Sequence, residues 1–400
     1  MKIVHVIGYF QPELGYEEFY TAREQVRLGH DVAVVTSDRI FPFSAEIKSA
    51  LSSAGLDMTS RKRGTGVSDL EGVSVHRLPT AFEWFYDCVA VHGLKEALGV
   101  LKPEIVHAHE TIQGTPALAA MHKKLGFKLV VDHHGYAPVY GEGKSPKEVL
   151  AQLEYRLVRK PMANSAFKRA DAIVAVTEET KSFLVKYHNV QAGRITVLPL
   201  AVDSDTFSFD AKARKVHRKE LGLTKEDVMF ITTGRLDPAK SLELFIEAFS
   251  ALPADKTMMV IIGSGASEYE RKLKRTAGKY KEHRIKFIKF MPQDRLPGWY
   301  SAGDAGFWGK ASITIIEGMA CRLPIIVPEL DTVRHLAGHD NGYMYKPGSI
   351  KAIRKCLEDI YSSTSKRKRM AINSEKSVQD EYNYRARTEK LMEIYKSVLK

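Results

Sequence analysis

Short runs rich in Val and Ile alternate with amphipathic stretches along the chain, and the alternation comes in two series. Strands buried on both faces of a parallel sheet need such uniformly apolar runs, because the helices that cross between parallel strands cover both faces. The first series places strands at Ile3–Ile7, Asp31–Thr36, Ser74–Arg77, Ile105–Ala108, Lys128–Asp132, Ala172–Val176 and Ile195–Leu198. The second places them at Val228–Thr232, Met258–Ile262, Ile285–Ile288, Ala305–Trp308 and Pro324–Val327. Between the series, Pro199-Leu200-Ala201-Val202-Asp203 leads into a polar stretch ending near Lys225, the expected hinge. A chain of 400 residues is longer than one core usually supports. The expected fold is therefore α/β, with two Rossmann-like doubly wound domains over 1–203 and 204–380 and a terminal helix over 381–400. Each such sheet has a crevice where strand order reverses, and two crevices facing across a deep cleft suit an enzyme that joins two substrates.

Composition narrows the class. No apolar run approaches the roughly 18 to 20 residues that cross a bilayer, and Lys2–Ile7 leads straight into patterned sequence, as a buried strand rather than a signal peptide. Cys88, Cys321 and Cys356 are widely spaced, without the paired spacing of a zinc site or disulfide framework, which fits a reducing cytoplasm. The formal charge of +12 is uneven: residues 1–200 hold 24 Lys and Arg against 22 Asp and Glu, and residues 201–400 hold 36 against 26. Segments such as Lys366-Arg367-Lys368-Arg369 read as solvated helix surface. Without interleaved aromatics, they give no reason to expect a nucleic-acid partner.

The second half carries the clearest chemistry. Gly234 ends a strand, and Arg235 and Lys240 lie five residues apart in the turn before the helical run Leu242–Phe249, where a guanidinium fork and an ammonium can converge on a diphosphate. Surface charge beside a helix start is the plain alternative. Gly263-Ser264-Gly265 follows the next strand, and Lys289-Phe290-Met291 the one after. The stretch Lys310–Val327 contains Ser312, Ile313, Thr314 and Glu317. Helix starts attract phosphate because four N–H groups lack partners there and the dipole is positive.

These motifs, in this order, resemble the family-4 retaining glycosyltransferases of the GT-B fold, the glycosyl transferases group 1. The resemblance implies that Gly234, Arg235 and Lys240 bind the donor diphosphate. It implies that Gly263 and Gly265 form the turn beside the nucleotide and that backbone groups near Phe290 and Met291 meet the base. Lys310–Val327 would then be the donor-binding helix and following strand, with amides at the helix start, at Ser312, Ile313 and Thr314, meeting phosphate, and Glu317 the ribose hydroxyls. Ser241 stands where the family has a glycine after the Lys. Gly309 stands eight residues before Glu317, where the family's E-x7-E pattern has a sugar-contacting glutamate; Lys310 or amides near Ser312 are the alternatives for that contact.

In the first half, Pro12 and Gly15 match the family's P-x-x-G-G loop, with Gly15 bringing amides near the donor phosphate, but Tyr16 replaces the second glycine. His107-Ala108-His109 and His133-His134-Gly135 end strands, where doubly wound sheets place ligands. By the resemblance His134 faces the donor sugar and leaving group and is catalytic, with Arg235 and Lys240. Hydrogen-bonded structural histidines and a metal site are the other readings of the four. Asp203-Ser204-Asp205 spells a metal-binding D-x-D, but its place resembles the family's V-D-x-x-x-F linker, so no metal is expected.

The resemblance implies a metal-independent, retaining hexosyltransferase without a cofactor. Its donor would be a nucleoside diphosphate sugar, a UDP- or GDP-sugar, and its acceptor a lipid-linked, glycan or small-molecule hydroxyl. The terminal region 381–400 would cross back to the first domain. Arg61-Lys62-Arg63 and the stretch Lys144–Lys160, with Tyr136, Tyr140 and Tyr155 nearby, raise peripheral contact with an anionic membrane at its cytoplasmic face, against a reading as solvated loop charge. A non-catalytic sugar-nucleotide-binding protein and a nucleotide-sugar epimerase are the rival functions.

Overall fold

The computed structural model describes the chain except residues 54, 85–87 and 135–144, so Gly135, Tyr136, Tyr140 and Lys144 lie outside the described residues. Two compact units emerge. Unit 1 comprises 1–42, 59–200 and 384–400; unit 2 comprises 43–58 and 201–383. The boundaries thus fall at 200 and 383 rather than 203 and 380, because Ala201–Asp203 joins unit 2: the Val202 amide donates to the Tyr382 carbonyl at 2.8 Å, and Val202, Phe207 and Tyr382 share one apolar cluster.

Unit 1 holds β1 (Lys2–Val6), β2 (Asp31–Ser37), β3 (Gly66–Leu70), β4 (Val73–Leu78), β7 (Ile105–His109), β8 (Lys128–His133), β9 (Ala172–Ala175) and β10 (Ile195–Val197), with a separate antiparallel pair β5 (Thr80–Trp84) and β6 (Cys88–Val91). The sheet order is β10-β9-β8-β7-β1-β2-β4-β3, parallel except for β3 on β4. Strand order reverses between β1 and β7. Alternation along β1 sends Val4 and Val6 into one apolar cluster and Ile3 into another. The second cluster is closed by Leu391, Met392 and Tyr395 of the terminal helix Tyr384–Leu399, which belongs to this unit.

Unit 2 is a six-stranded parallel sheet built from β11 (Val228–Thr233), β12 (Thr257–Ile262), β13 (Arg284–Ile288), β14 (Ala305–Phe307), β15 (Ile325–Pro328) and β16 (Gly342–Tyr345), in the order β13-β12-β11-β14-β15-β16. Every residue of β11, β12, β14 and β15 is buried, as strands covered on both faces must be. Here the order reverses between β11 and β14, so the crevice lies at the carboxyl ends of those two strands. Unit 2 also takes in the helix α2 (Ala45–Ser53), which follows β2 in sequence.

Candidate active site

In unit 2 the turn after β11 and the helix after β14 meet beside the switch point. Gly234 has φ +107°, and a Cβ there would stand 2.9 Å from Lys240 Nζ and 3.6 Å from a Thr314 methyl, so the turn, the ammonium and the start of helix Ile313–Ala320 converge. Ser312 caps that helix by accepting the Thr314 amide, and the Trp308 indole donates to the Thr314 hydroxyl at 2.9 Å. Burial, then the neighbouring Arg235 charge, pulls Lys240 down to about 8 from the usual lysine value. Arg235 is largely exposed and pairs with Asp237 at 2.9 Å, so in this structure it points to its own turn rather than to Lys240.

Gly263 and Gly265 have a more structural place. A Cβ on Gly263 would lie 1.9 Å from the Gly234 carbonyl oxygen, and one on Gly265 would lie 2.0 Å from that of Leu236. The two glycines let the turns after β11 and β12 pack backbone on backbone, which the Leu236 amide secures by donating to the Ser264 carbonyl at 2.9 Å. The Phe290 amide donates to the Ser264 hydroxyl at 3.3 Å, and Met291 packs against the apolar cluster beneath. Glu317, buried, accepts from the Tyr300 hydroxyl at 2.8 Å and the Gln293 amide at 3.1 Å. Burial raises its carboxyl to about 7, only partly offset by those donors.

In unit 1, register brings the histidines together. His5 pairs with His107 across β1 and β7, and His109 pairs with Asp132 across β7 and β8. His5 Nδ1 meets His109 Nε2 at 2.8 Å, and the Tyr395 hydroxyl meets His107 Nδ1 at 2.6 Å. One Asp132 oxygen lies 2.6 Å from His109, 3.2 Å from His107 and 3.3 Å from His134. His134 also pairs with Glu17 at 2.8 Å, and Glu17 with Arg387 of the terminal helix at 2.9 Å. Burial alone would lower the His134 pKa, but Glu17 and Asp132 outweigh it and hold it well above the usual value. Glu17 falls to about 2 because Arg387 and His134 overcome its burial.

The ligand atoms of His5, His107 and His109, and of Glu17, His109, Asp132 and His134, lie within 4.8 Å of one another in each group, a spacing open to a metal ion. These atoms meet one another at hydrogen-bond and ion-pair distances. His133 instead pairs with Glu110 at 3.0 Å and stacks on Phe183, a packed position. A pocket of about 240 Å³ beside this network is lined by Tyr9, Tyr16, Glu18, Glu110, Gln113 and His134. Sequence reasoning did not single out Glu17, Asp132 or Arg387. Glu17 and Arg387 lie 370 positions apart, so only the fold joins them.

The sequence pattern of "Glycosyltransferase Family 4" matches residues 19–206, and that of "Glycosyl transferases group 1" matches residues 213–377. The chain belongs to the family-4 glycosyltransferases. Among curated relatives, D-inositol 3-phosphate glycosyltransferase of Xylanimonas cellulosilytica is 26% identical over 279 residues, covering 67% of this chain and 66% of the relative. A second such enzyme, from Mycobacteroides abscessus, is 26% identical over 269 residues, covering 64% and 57%. The chain thus spans about three fifths to two thirds of the length of the curated relatives it matches. Solved structures share the GT-B fold over almost the whole chain. Sucrose-phosphate synthase from Thermosynechococcus elongatus has a TM-score of 0.71 at 15% identity, covering 99% of this chain and 98% of that one. Anabaena HepE in complex with UDP has 0.70 at 16%, covering 99% and 100%.

The departures from the family pattern have local causes or costs. A Cβ at Gly309 would lie 1.7 Å from the Lys240 carbonyl oxygen, so with this backbone no side chain fits where the family has its first glutamate. Ser241 adopts φ +47°, a left-handed conformation that glycine takes without penalty and serine takes at about 1 kcal/mol. Gly15 adopts φ +71° and ends the short turn Pro12–Leu14, so the following Tyr16 stands at the N-terminus of α1 (Glu17–Arg27), 44% exposed. Asp203 of the D-x-D accepts the Thr206 hydroxyl at 2.6 Å in a turn. Arg61 of the basic triplet pairs with Glu83, and Arg63 lies 3.8 Å from Glu13. No helix among the described residues is long and apolar enough to cross a membrane.

Proposed function

We propose that this chain transfers a sugar, with retention at the anomeric carbon and without an essential metal, from a UDP- or GDP-sugar to an acceptor hydroxyl. The observation that carries the reading is the convergence of Lys240, the Gly234 turn and the capped start of helix Ile313–Ala320 at a sheet switch point. An ammonium and the amides at a helix start are what a diphosphate needs. The family membership and the UDP held by the HepE protein support a nucleoside diphosphate as the ligand.

The bond between the anomeric carbon and the diphosphate oxygen breaks, and the acceptor oxygen bonds to that carbon from the same face. The acceptor proton passes to the departing phosphate. Lys240 and Arg235 stabilise charge that grows on the leaving group toward the transition state, and so accelerate the step rather than only tightening binding. Amides at Ser312, Ile313 and Thr314 share that charge, and Glu317 accepts hydrogen bonds from the ribose. His134, kept protonated by Glu17 and Asp132, acts as a donor rather than a base.

The reading is tested by incubating the purified chain with UDP- and GDP-hexoses, with and without an acceptor panel, in EDTA. Nucleoside diphosphate should appear only with acceptor, and Lys240→Ala or Arg235→Ala should cut turnover by about a hundredfold in a folded protein. Conversion of donor without acceptor would instead favour an epimerase. Nucleotide binding with no turnover against any acceptor would favour a binding protein.

A further inference from the structure

A cavity of about 460 Å³ opens in unit 2 beside the diphosphate turn. That volume is within the range of small-molecule sites, roughly 300–1,000 Å³. Part of its wall is expected: Gly265 and Phe290 follow the carboxyl ends of β12 and β13, and Arg235, Leu236 and Pro238 come from the turn after β11. The rest is not. Ser44, Ile47 and Leu51 line the same cavity, and they belong to the 43–58 segment, far in sequence from the group 1 match at 213–377.

The chemistry of the lining selects among ligand parts. Two of its polar side chains are already engaged: Asp237 pairs with Arg235 and accepts the Ala239 amide, and the Ser264 hydroxyl accepts the Phe290 amide. What remains around the cavity is mainly apolar: Ile47, Leu51, Leu236, Pro238, Ala266 and Phe290. Ile47 and Leu51 are four residues apart on α2, hence on one helix face, and Leu51 is only 5% exposed. A hydroxyl-rich sugar gains little from such walls, whereas the flat faces of a nucleobase are suited to them. Arg235 borders the cavity and follows Gly234, where an added Cβ would lie 2.9 Å from Lys240 Nζ, so base and diphosphate have adjoining places.

We propose that α2 is part of the nucleotide site: Ile47 and Leu51 form the apolar wall against which the donor's base rests, with Leu236 and Phe290. The inference rests on the donor reading above and adds residues outside the group 1 region. In this chain, affinity for the base depends on a helix that follows β2.

Isothermal titration of the full chain and of Ile47→Ala and Leu51→Ala with UDP, GDP, UDP-glucose and inorganic pyrophosphate tests it. Both variants should bind the preferred nucleotide about tenfold more weakly, as loss of apolar contact in a pocket does, with pyrophosphate affinity unchanged. Leu51→Met, which keeps the volume, should restore most of the affinity. Nucleotide affinity within twofold of the parent in both variants would overturn the wall while leaving the donor reading intact. So would equal losses for pyrophosphate, which mean a damaged fold, or a loss for UDP-glucose but not UDP, which means the cavity holds the sugar. No binding of any nucleoside diphosphate by the parent chain would remove the donor reading and the wall together.

Discussion

In the proposed diphosphate site, Lys240 is the residue at which burial and charge act most directly. Its pKa, pulled to about 8, means that near neutral pH the ammonium is retained at a cost in desolvation and beside Arg235, a cost that a diphosphate removes. Above about pH 7, where the terminal phosphate has already lost its second proton, diphosphate affinity should therefore fall as pH rises through 8, by up to about tenfold per unit. Lys240→Arg, protonated throughout, should lose this decline up to pH 9.5, as titration calorimetry with UDP would reveal. A wild-type affinity that holds steady to pH 9.5 would contradict the assignment. The stability sign runs the other way. Between about 8 and 10.5 the unfolded chain binds more protons at this lysine than the folded one, so the group's contribution to stability rises with pH across that window.

Among the elements, the two glycine turns and the strand end at Gly309 show how closely backbone approaches backbone at the unit 2 crevice. Gly309→Ala should destabilise the protein by about 3 kcal/mol or more, because its Cβ would meet the Lys240 carbonyl rather than a side chain that can move. It should also weaken UDP binding by displacing Lys240; urea denaturation and calorimetry measure the two. An unchanged midpoint would mean that the turn yields freely. Sequence showed Gly309 as a missing glutamate, but a glycine there gives no hint that another main chain occupies its space. The buried parallel strands were legible because each is a continuous apolar run. β3, exposed at the sheet edge, and β16, with Met344 39% exposed, were not, since neither carries that pattern. The placement of α2 in unit 2 was also illegible, because neither its amphipathic pattern nor its position after β2 names the surface it packs on. The turns at Gly234 and Gly263 were readable from residue types, whereas the Glu17, Asp132 and Arg387 network depends on register and a distant helix.

For the molecule as a whole, the path of the chain matters more than either sheet. It passes between the units four times, at 42, 58, 200 and 383, so neither unit is a contiguous stretch of sequence. Arg387, 2% exposed, ties the terminal helix to unit 1 through Glu17 at 2.9 Å, the Pro199 carbonyl at 3.0 Å and the Thr21 hydroxyl at 3.2 Å. Arg387→Ala should destabilise unit 1 by about 3–5 kcal/mol, because it leaves the buried Glu17 carboxylate without its strongest partner. Circular dichroism in urea should register the loss, and a midpoint equal to the parent's would show the pair to be dispensable. The late position of that helix also bears on biosynthesis. On the ribosome, β1, β7 and β8 emerge long before residues 384–400, and until then Ile3, Ile105, Val130 and His107 lack the cover that Leu391 and Tyr395 provide. Unit 1 cannot complete this apolar cluster before residues 384–400 have been made. The sheet of unit 1 thus gains its last cover only after the body of unit 2 has been translated.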